Sequence, residues 1–267
     1  MSEKLFGEWY GHVPDVHSYL PHDRLAYQGL LGLEMEMEGV SYTQVQAAAP
    51  AHVGRAWSFK HDGSLRGSNF EAVMRTPYCG HDYVTKIEEL CSYLQESWGD
   101  RMQPSHRTSI HVHCDVRDMT PEQVGRMLLA YIIFERAIFK FVGGGREHNN
   151  FCIPMHNYID FLRGIDYLKE ADVNRFQDAC RRAERYGAVN LCCIPELGSV
   201  EFRQHPGTYN GPRLIDWSNI ILSLKRWAVE DGPDMAHLPE YLSDKGPADM
   251  LVEVFGEWAK LLQYDEL

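Results

Sequence analysis

The 267 residues suffice for one large domain or two small ones, and 44% hydrophobic with 24% charged content is ordinary for a globular chain with a substantial core. A formal net charge of -12 argues against non-specific nucleic-acid binding, which needs a basic surface, and leaves room only for a local basic pocket. No apolar run approaches the roughly 20 residues of a membrane helix, so no membrane partner is expected. The opening Met1-Ser2-Glu3-Lys4-Leu5-Phe6 lacks the apolar stretch of a signal peptide, so a cytoplasmic location is expected. The seven cysteines form no C-x-x-C pair, which excludes a zinc ribbon and fits reduced thiols; Cys192 and Cys193, in an apolar stretch, read as buried packing residues.

Residues 1–27 mix aromatics, prolines and His12, His17 and His22 without a helical capping signal and read as an irregular N-terminal extension. A strand is predicted from Gln28 to Glu38. Tyr42 to His52 carries no firm signal. Arg55 to Phe59 reads as a strand ending in the turn His61-Asp62-Gly63-Ser64, and Asn69 to Arg75 as the returning strand, stopped by Pro77. Helical spacing follows over His81 to Trp98, then alternation over Thr108 to Val116. Thr120-Pro121-Glu122-Gln123 supplies an N-cap, a first-turn proline and a capping-box Gln for a helix that Gly143-Gly144-Gly145 ends. Glu135 falls on that helix's apolar stripe, so it must be paired, to an arginine such as Arg136 or Arg146, or turned toward a site. A polar-faced helix over Asp172 to Tyr186, strands over Val189 to Cys193 and Gly198 to His205, and helices over Asp216 to Val229 and Met250 to Leu262 complete the chain. The order predicts an α+β fold, a mostly antiparallel sheet with helices packed on one side.

Period-two alternation aligns Glu34, Glu36 and Glu38 on one face of the first strand. Two carboxylates about 6 Å apart repel by roughly 3 kcal/mol at an effective dielectric near 20, so the row needs a counter-charge or a solvated edge. Two further strands carry the same kind of pattern, His111/His113/Asp115 and Glu201/Arg203/His205, and Glu71 adds a carboxylate. Three such strands are hard to read as solvated edges. Carboxylates with one or two imidazoles suit Mg²⁺ or Mn²⁺, and an arginine two residues beyond a carboxylate suits a phosphate bridging to that metal. No G-x-x-x-x-G-K-[ST] occurs, so a nucleotide site here would work without a P-loop.

Between about Gly29 and Trp217 stand, in order, Gly32-x-Glu34-x-Glu36, Asp62-Gly63-Ser64-Leu65, Glu71 before Pro77, His111-Val112-His113, Arg146 with Asn150 and Cys152, Tyr186 with Asn190, and Val200-Glu201-Phe202-Arg203 followed by His205, Gly207 and Thr208. Through these pieces the chain resembles the amidoligases, ATP-dependent carboxylate-amine ligases related to glutamine synthetase and glutamate-cysteine ligase. The chain departs from the pattern at Thr108-Ser109, where a Ser-Gly pair is usual, and at Ser199, where Thr is common. The resemblance implies a glutamine synthetase-like catalytic fold over 28–267. It implies Glu34, Glu36, Glu71, His111 or His113, and Glu201 around the Mg²⁺ ions that bridge ATP phosphates, and Arg203 on the γ-phosphate or acyl phosphate. It also implies Asp62 and Ser64 facing the substrate, and Arg146 on a substrate carboxylate or phosphate.

The implied reaction joins a small-molecule or peptide carboxylate to an amine through an acyl phosphate. Asp62, Glu38 and His205 remain open as its general base. Two other readings stay open: a metal-dependent hydrolase built on His111-x-His113, and a non-catalytic nucleotide- or peptide-binding relative. The substrates and the oligomeric state are not legible.

Overall fold

Alternate apolar side chains on three successive strands, Leu31, Leu33, Met35 and Met37, then Phe70 and Ala72, then Ile110, Val112 and Cys114, are all buried, and their shared face nucleates the core. The computed structural model of the chain describes residues 4–157, 173–234 and 236–262. In it β1 (Leu31–Glu38), β2 (Trp57–Lys60), β3 (Asn69–Met74), β4 (Ser109–Asp115), β5 (Val189–Asn190) and β6 (Ser199–Pro206) form one open antiparallel sheet in the order β2-β3-β1-β4-β6-β5. The helices are α1 (Phe6–Trp9), α2 (Tyr42–Ala48), α3 (Ala51–Ala56), α4 (Gly80–Trp98), α5 (Pro121–Val142), α6 (Val173–Arg181), α7 (Cys193–Leu197), α8 (Gly211–Arg226), α9 (Leu238–Asp244) and α10 (Pro247–Phe255).

The long helices α4, α5 and α8 cover the apolar face. Tyr131 of α5 packs edge-on against Phe202 of β6, Phe202 meets Trp217 of α8, and Tyr83 of α4 bonds Ser218 of α8 at 2.8 Å. Each fully buried large apolar side chain contributes about 1.5–3 kcal/mol, so this layer fixes the sheet from behind. The α5 capping box forms as the sequence predicts: Gln123 N–H donates to Thr120 Oγ1 at 3.3 Å, and Thr120 N–H donates to Gln123 Oε1 at 2.8 Å. Gly143, at φ 69°, ends the helix and donates its N–H to Phe139 O at 2.9 Å.

Several boundaries differ from the sequence reading for local reasons. The first strand starts at Leu31, because the Gln28 side chain instead ties back to the carbonyls of Val16 (2.7 Å) and Tyr19 (2.8 Å). The segment without a firm signal holds α2, capped by Ser41 with Gln44, and α3, which delays β2 to Trp57. The strand expected through Cys193 stops at Asn190, whose side chain accepts the Cys192 N–H at 2.9 Å and turns the chain into α7. Asn210 caps α8 five residues before the expected start at Asp216, and Gly256 at φ 53° closes α10 at Phe255. Asp172, the expected start of the polar helix, lies outside the described residues; α6 runs Val173–Arg181. The N-terminal arm includes α1 and is docked: Phe6 is fully buried, and the N–H groups of Phe6 and Gly7 donate to the carbonyls of Met119 (2.9 Å) and Arg117 (2.8 Å).

Candidate active site

Strand register brings the polar face together in three cross-strand rows. Lys60, Glu71 and Glu36 pair across β2, β3 and β1; Glu34 pairs with His111 across β1 and β4; Gly32, His113, Glu201 and Asn190 pair across β1, β4, β6 and β5. All of these but Gly32 floor a cleft of about 600 Å³ on the sheet face opposite α5, rimmed by Asp62, Ser64, Arg107, Phe151, Tyr186 and Arg203.

His111 is the hub. Its Nδ1 lies 3.2 Å from both Glu34 Oε2 and Glu201 Oε1. Its Nε2 reaches Ser109 Oγ at 2.8 Å, and Ser109 donates its hydroxyl to Glu36 Oε2 at 2.5 Å and its backbone N–H to the same oxygen at 3.0 Å. Arg203 Nη1 donates to Glu201 Oε1 at 2.5 Å, and Asn190 Nδ2 donates to Glu201 Oε2 at 2.5 Å. Lys60 closes the far side with an ion pair to Glu71 at 2.8 Å.

This packing sets the proton distribution. Burial alone would raise the Glu34 carboxyl, but the two imidazoles beside it outweigh burial and hold it well below the usual carboxylate range. Burial likewise works against ionisation of Glu201, and His111 and Arg203 overcome it. Glu71 goes the other way: burial and the Glu34 charge push it up to about 7, against the pull of Lys60. Burial and Arg203 oppose charging of His111, yet Glu34, Glu201 and Glu36 raise it overall.

The donors fit a hard divalent cation. Glu34, His111 and Glu201 place one ligand atom each within 4.8 Å of one another, and so do Glu36, Glu71 and His111. His113 Nε2 is buried with no hydrogen-bond partner among the described residues, 3.5 Å from Glu34 Oε1 and 4.0 Å from Glu201 Oε1. A divalent cation held by these atoms would offset the charge of the carboxylates.

Every sequence-predicted ligand, Glu34, Glu36, Glu71, His111, His113 and Glu201, lines this cleft, as do Asp62, Ser64 and Arg203. Other expectations are corrected. His205 does not share a face with Glu201 and Arg203, because β6 bulges: Ile110 pairs with His205 and Val112 with Phe202, so one residue of β4 faces two of β6 and the alternation slips by one. The His205 ring lies against Trp217, and burial pushes it down to about 4. Arg146 is absent from the cleft lining and donates to the carbonyls of Gln204 (2.8 Å) and Arg203 (3.0 Å). Glu38 is also outside, accepting the Arg66 N–H at 2.8 Å, and Asp115 is buried in an ion pair with Arg117. Cys192 and Cys193 are half-buried cleft residues, and the Cys193 thiol donates to Glu201 Oε2 at 3.5 Å. Among the described residues Glu135 pairs with no arginine: it accepts from Tyr131 OH (2.9 Å) and Met155 N–H (2.6 Å) and meets His156 Nδ1 at 2.8 Å.

The sequence reading missed Lys60, Arg107 and Ser109 as site residues. Ser109 and Ser199 stand at the two positions where the chain departs from the amidoligase pattern; Ser109 bonds His111, and Ser199 Oγ lies 3.3 Å from His113 Nδ1. Those departures were the available signal.

An open antiparallel sheet with helices on one face and four carboxylates and two imidazoles gathered on the other defines an α+β protein with a candidate active site. The sequence model of one family, described as "putative amidoligase enzyme", matches residues 69–225, and the chain belongs to that amidoligase family. No curated protein matches it.

Proposed function

We propose that the chain is an ATP-dependent carboxylate-amine ligase of glutamine synthetase-like catalytic fold, acting in the cytoplasm on a small-molecule or peptide carboxylate and an amine. The observation that carries this reading is the juxtaposition of a convergent carboxylate floor with Arg203, whose guanidinium is braced on Glu201 at the cleft wall. A phosphate there would meet cationic charge from two sides. Glu34, Glu36, Glu71, His111 and Glu201 would hold Mg²⁺ or Mn²⁺, which when bound neutralises the ATP phosphates and polarises the phosphoryl group.

The substrate carboxylate oxygen attacks the γ-phosphorus, the bond to the bridging oxygen of ADP breaks, and Arg203 stabilises the charge on the transferring group. The amine nitrogen then attacks the acyl carbon, and phosphate leaves with the bonding pair. Of the three bases left open by the sequence, only Asp62 lines the cleft, and it takes the amine proton; one of its oxygens is already fixed by the Ser64 N–H at 2.6 Å. Ser64 contributes its backbone to the cleft wall, its carbonyl accepting from Arg107 at 2.6 Å.

The test incubates the chain with ATP, Mg²⁺, pooled carboxylates and hydroxylamine, scoring hydroxamate and phosphate together. Equal amounts of both support the ligase. Carboxylate release from amides without ATP would instead support the hydrolase, and nucleotide binding without turnover the non-catalytic relative.

A further inference from the structure

Arg146 is 3% exposed and does not itself line the cleft, yet both carbonyls it binds belong to the strand that carries Glu201 and Arg203. Those two carbonyls are the bulge itself. Because Ile110 pairs with His205 and Val112 with Phe202, Arg203 and Gln204 together face a single β4 residue, His111. A bulge of this kind takes backbone groups out of the ladder, and buried carbonyls without partners are costly. The Arg146 fork supplies the missing donors, Nε to Gln204 O and Nη2 to Arg203 O, while Arg203 N–H keeps its bond to Ala188 O at 2.9 Å. Gln204 is fixed from the helix side by its bond to Tyr131 OH.

We infer that Arg146 is a positioning residue: it clamps the β6 bulge opposite His111 and so sets the aim of the Arg203 guanidinium into the cleft. The inference rests on the ligase reading for its kinetic test and on the geometry alone for its spectroscopic one. A bidentate guanidinium spans two adjacent carbonyls, which neither lysine nor a neutral side chain does. Without the clamp the strand can relax toward regular register, and a displacement of about 1 Å at a reacting group costs on the order of 10²-fold in rate.

The experiment compares wild type, Arg146→Met, Arg146→Lys, Arg203→Lys and the Arg146→Met/Arg203→Lys double variant of the full chain. Folding is followed by circular dichroism, and the side-chain Nε–Hε resonances are recorded on ¹⁵N-arginine-labelled protein. The expected result is a folded Arg146→Met whose Arg203 resonance shifts or broadens. Its hydroxamate kcat falls about 10- to 100-fold with KM for ATP and carboxylate nearly unchanged. Arg146→Lys recovers part of the loss, and the double variant is no slower than Arg203→Lys alone. An unmoved Arg203 resonance, losses that multiply in the double variant, or a raised KM for the carboxylate at unchanged kcat would each overturn the inference. If Arg146→Met does not fold, the same readouts on Arg146→Lys decide, with an unmoved Arg203 resonance again overturning it. A wild type that forms no hydroxamate would refute the ligase reading, and the Arg203 resonance would still decide the clamp.

Discussion

At the scale of single residues, the buried carboxylates divide the charge unequally, and the division has a pH signature. Glu71 is raised to about 7 in the folded chain, so its protonated form adds stability that is fully present below the ordinary carboxylate pKa and is lost as pH rises toward 7. The Glu71 contribution in metal-free protein should therefore fall between about pH 4.5 and 7.5, by on the order of 3 kcal/mol at most, while His205, pushed down to about 4, contributes stability that grows as pH rises from about 4 to 6.5. Glu71→Gln removes the falling contribution, so in thermal scans its stability should rise with pH across the range relative to wild type; a pH profile parallel to wild type would place the titration elsewhere. Arg203 offers a second measurement. Arg203→Lys keeps the charge and loses the fork, so kcat should fall about 10²- to 10³-fold while nucleotide binding persists. Single-turnover acyl-phosphate formation beside nucleotide affinity checks this, and a variant with normal turnover would move Arg203 to substrate recognition.

At the scale of elements, α8 is pinned to the turn after β4 by one fully buried cation. Lys225 Nζ donates to Asp118 Oδ1 at 2.6 Å and to Asp115 O at 2.8 Å, and the neighbouring carboxylates raise its pKa despite burial. Lys225→Met leaves Asp118 without its counter-charge and should cost about 3–5 kcal/mol in denaturant unfolding, with activity kept at low temperature. The elements also show what a sequence can say. Alternation in β1 and β4 and the Thr120–Gln123 box were plain, because local periodicity and local capping specify them. The bulge was not, since a one-residue slip leaves every residue type in place and changes only which face it occupies; hence His205 was misplaced. Lys60 and Arg107 were hidden for a related reason: they reach the cleft from a strand end and a loop, where no period announces a direction.

At the scale of the whole molecule, the site draws on β1, β3, β4 and β6 at once, so a ligand that bridges them should stiffen the fold. Mg²⁺ with a non-hydrolysable ATP analogue at 100 times its dissociation constant adds about 2.7 kcal/mol, visible as a higher melting temperature. An equal shift with nucleotide in chelator would count against the metal cluster. No described helix is long and apolar enough to cross a membrane. The docked N-terminal arm has its own consequence for the order in which the chain can fold. The turn after β4 receives the arm through Met119 O and Arg117 O, the start of β6 through Val116 N–H to Gly198 O, and the end of α8 through Lys225. Residues made early and residues made late therefore close on one junction, and Phe6, whose ring meets Phe176, cannot be fully seated until α6 has been synthesised. Such long-range closure is slow. Pulse-labelled hydrogen exchange during refolding should show the amides of Phe6 and Gly7 protected after those of α5, and earlier protection of the arm would mean that it docks before α6 completes its seat.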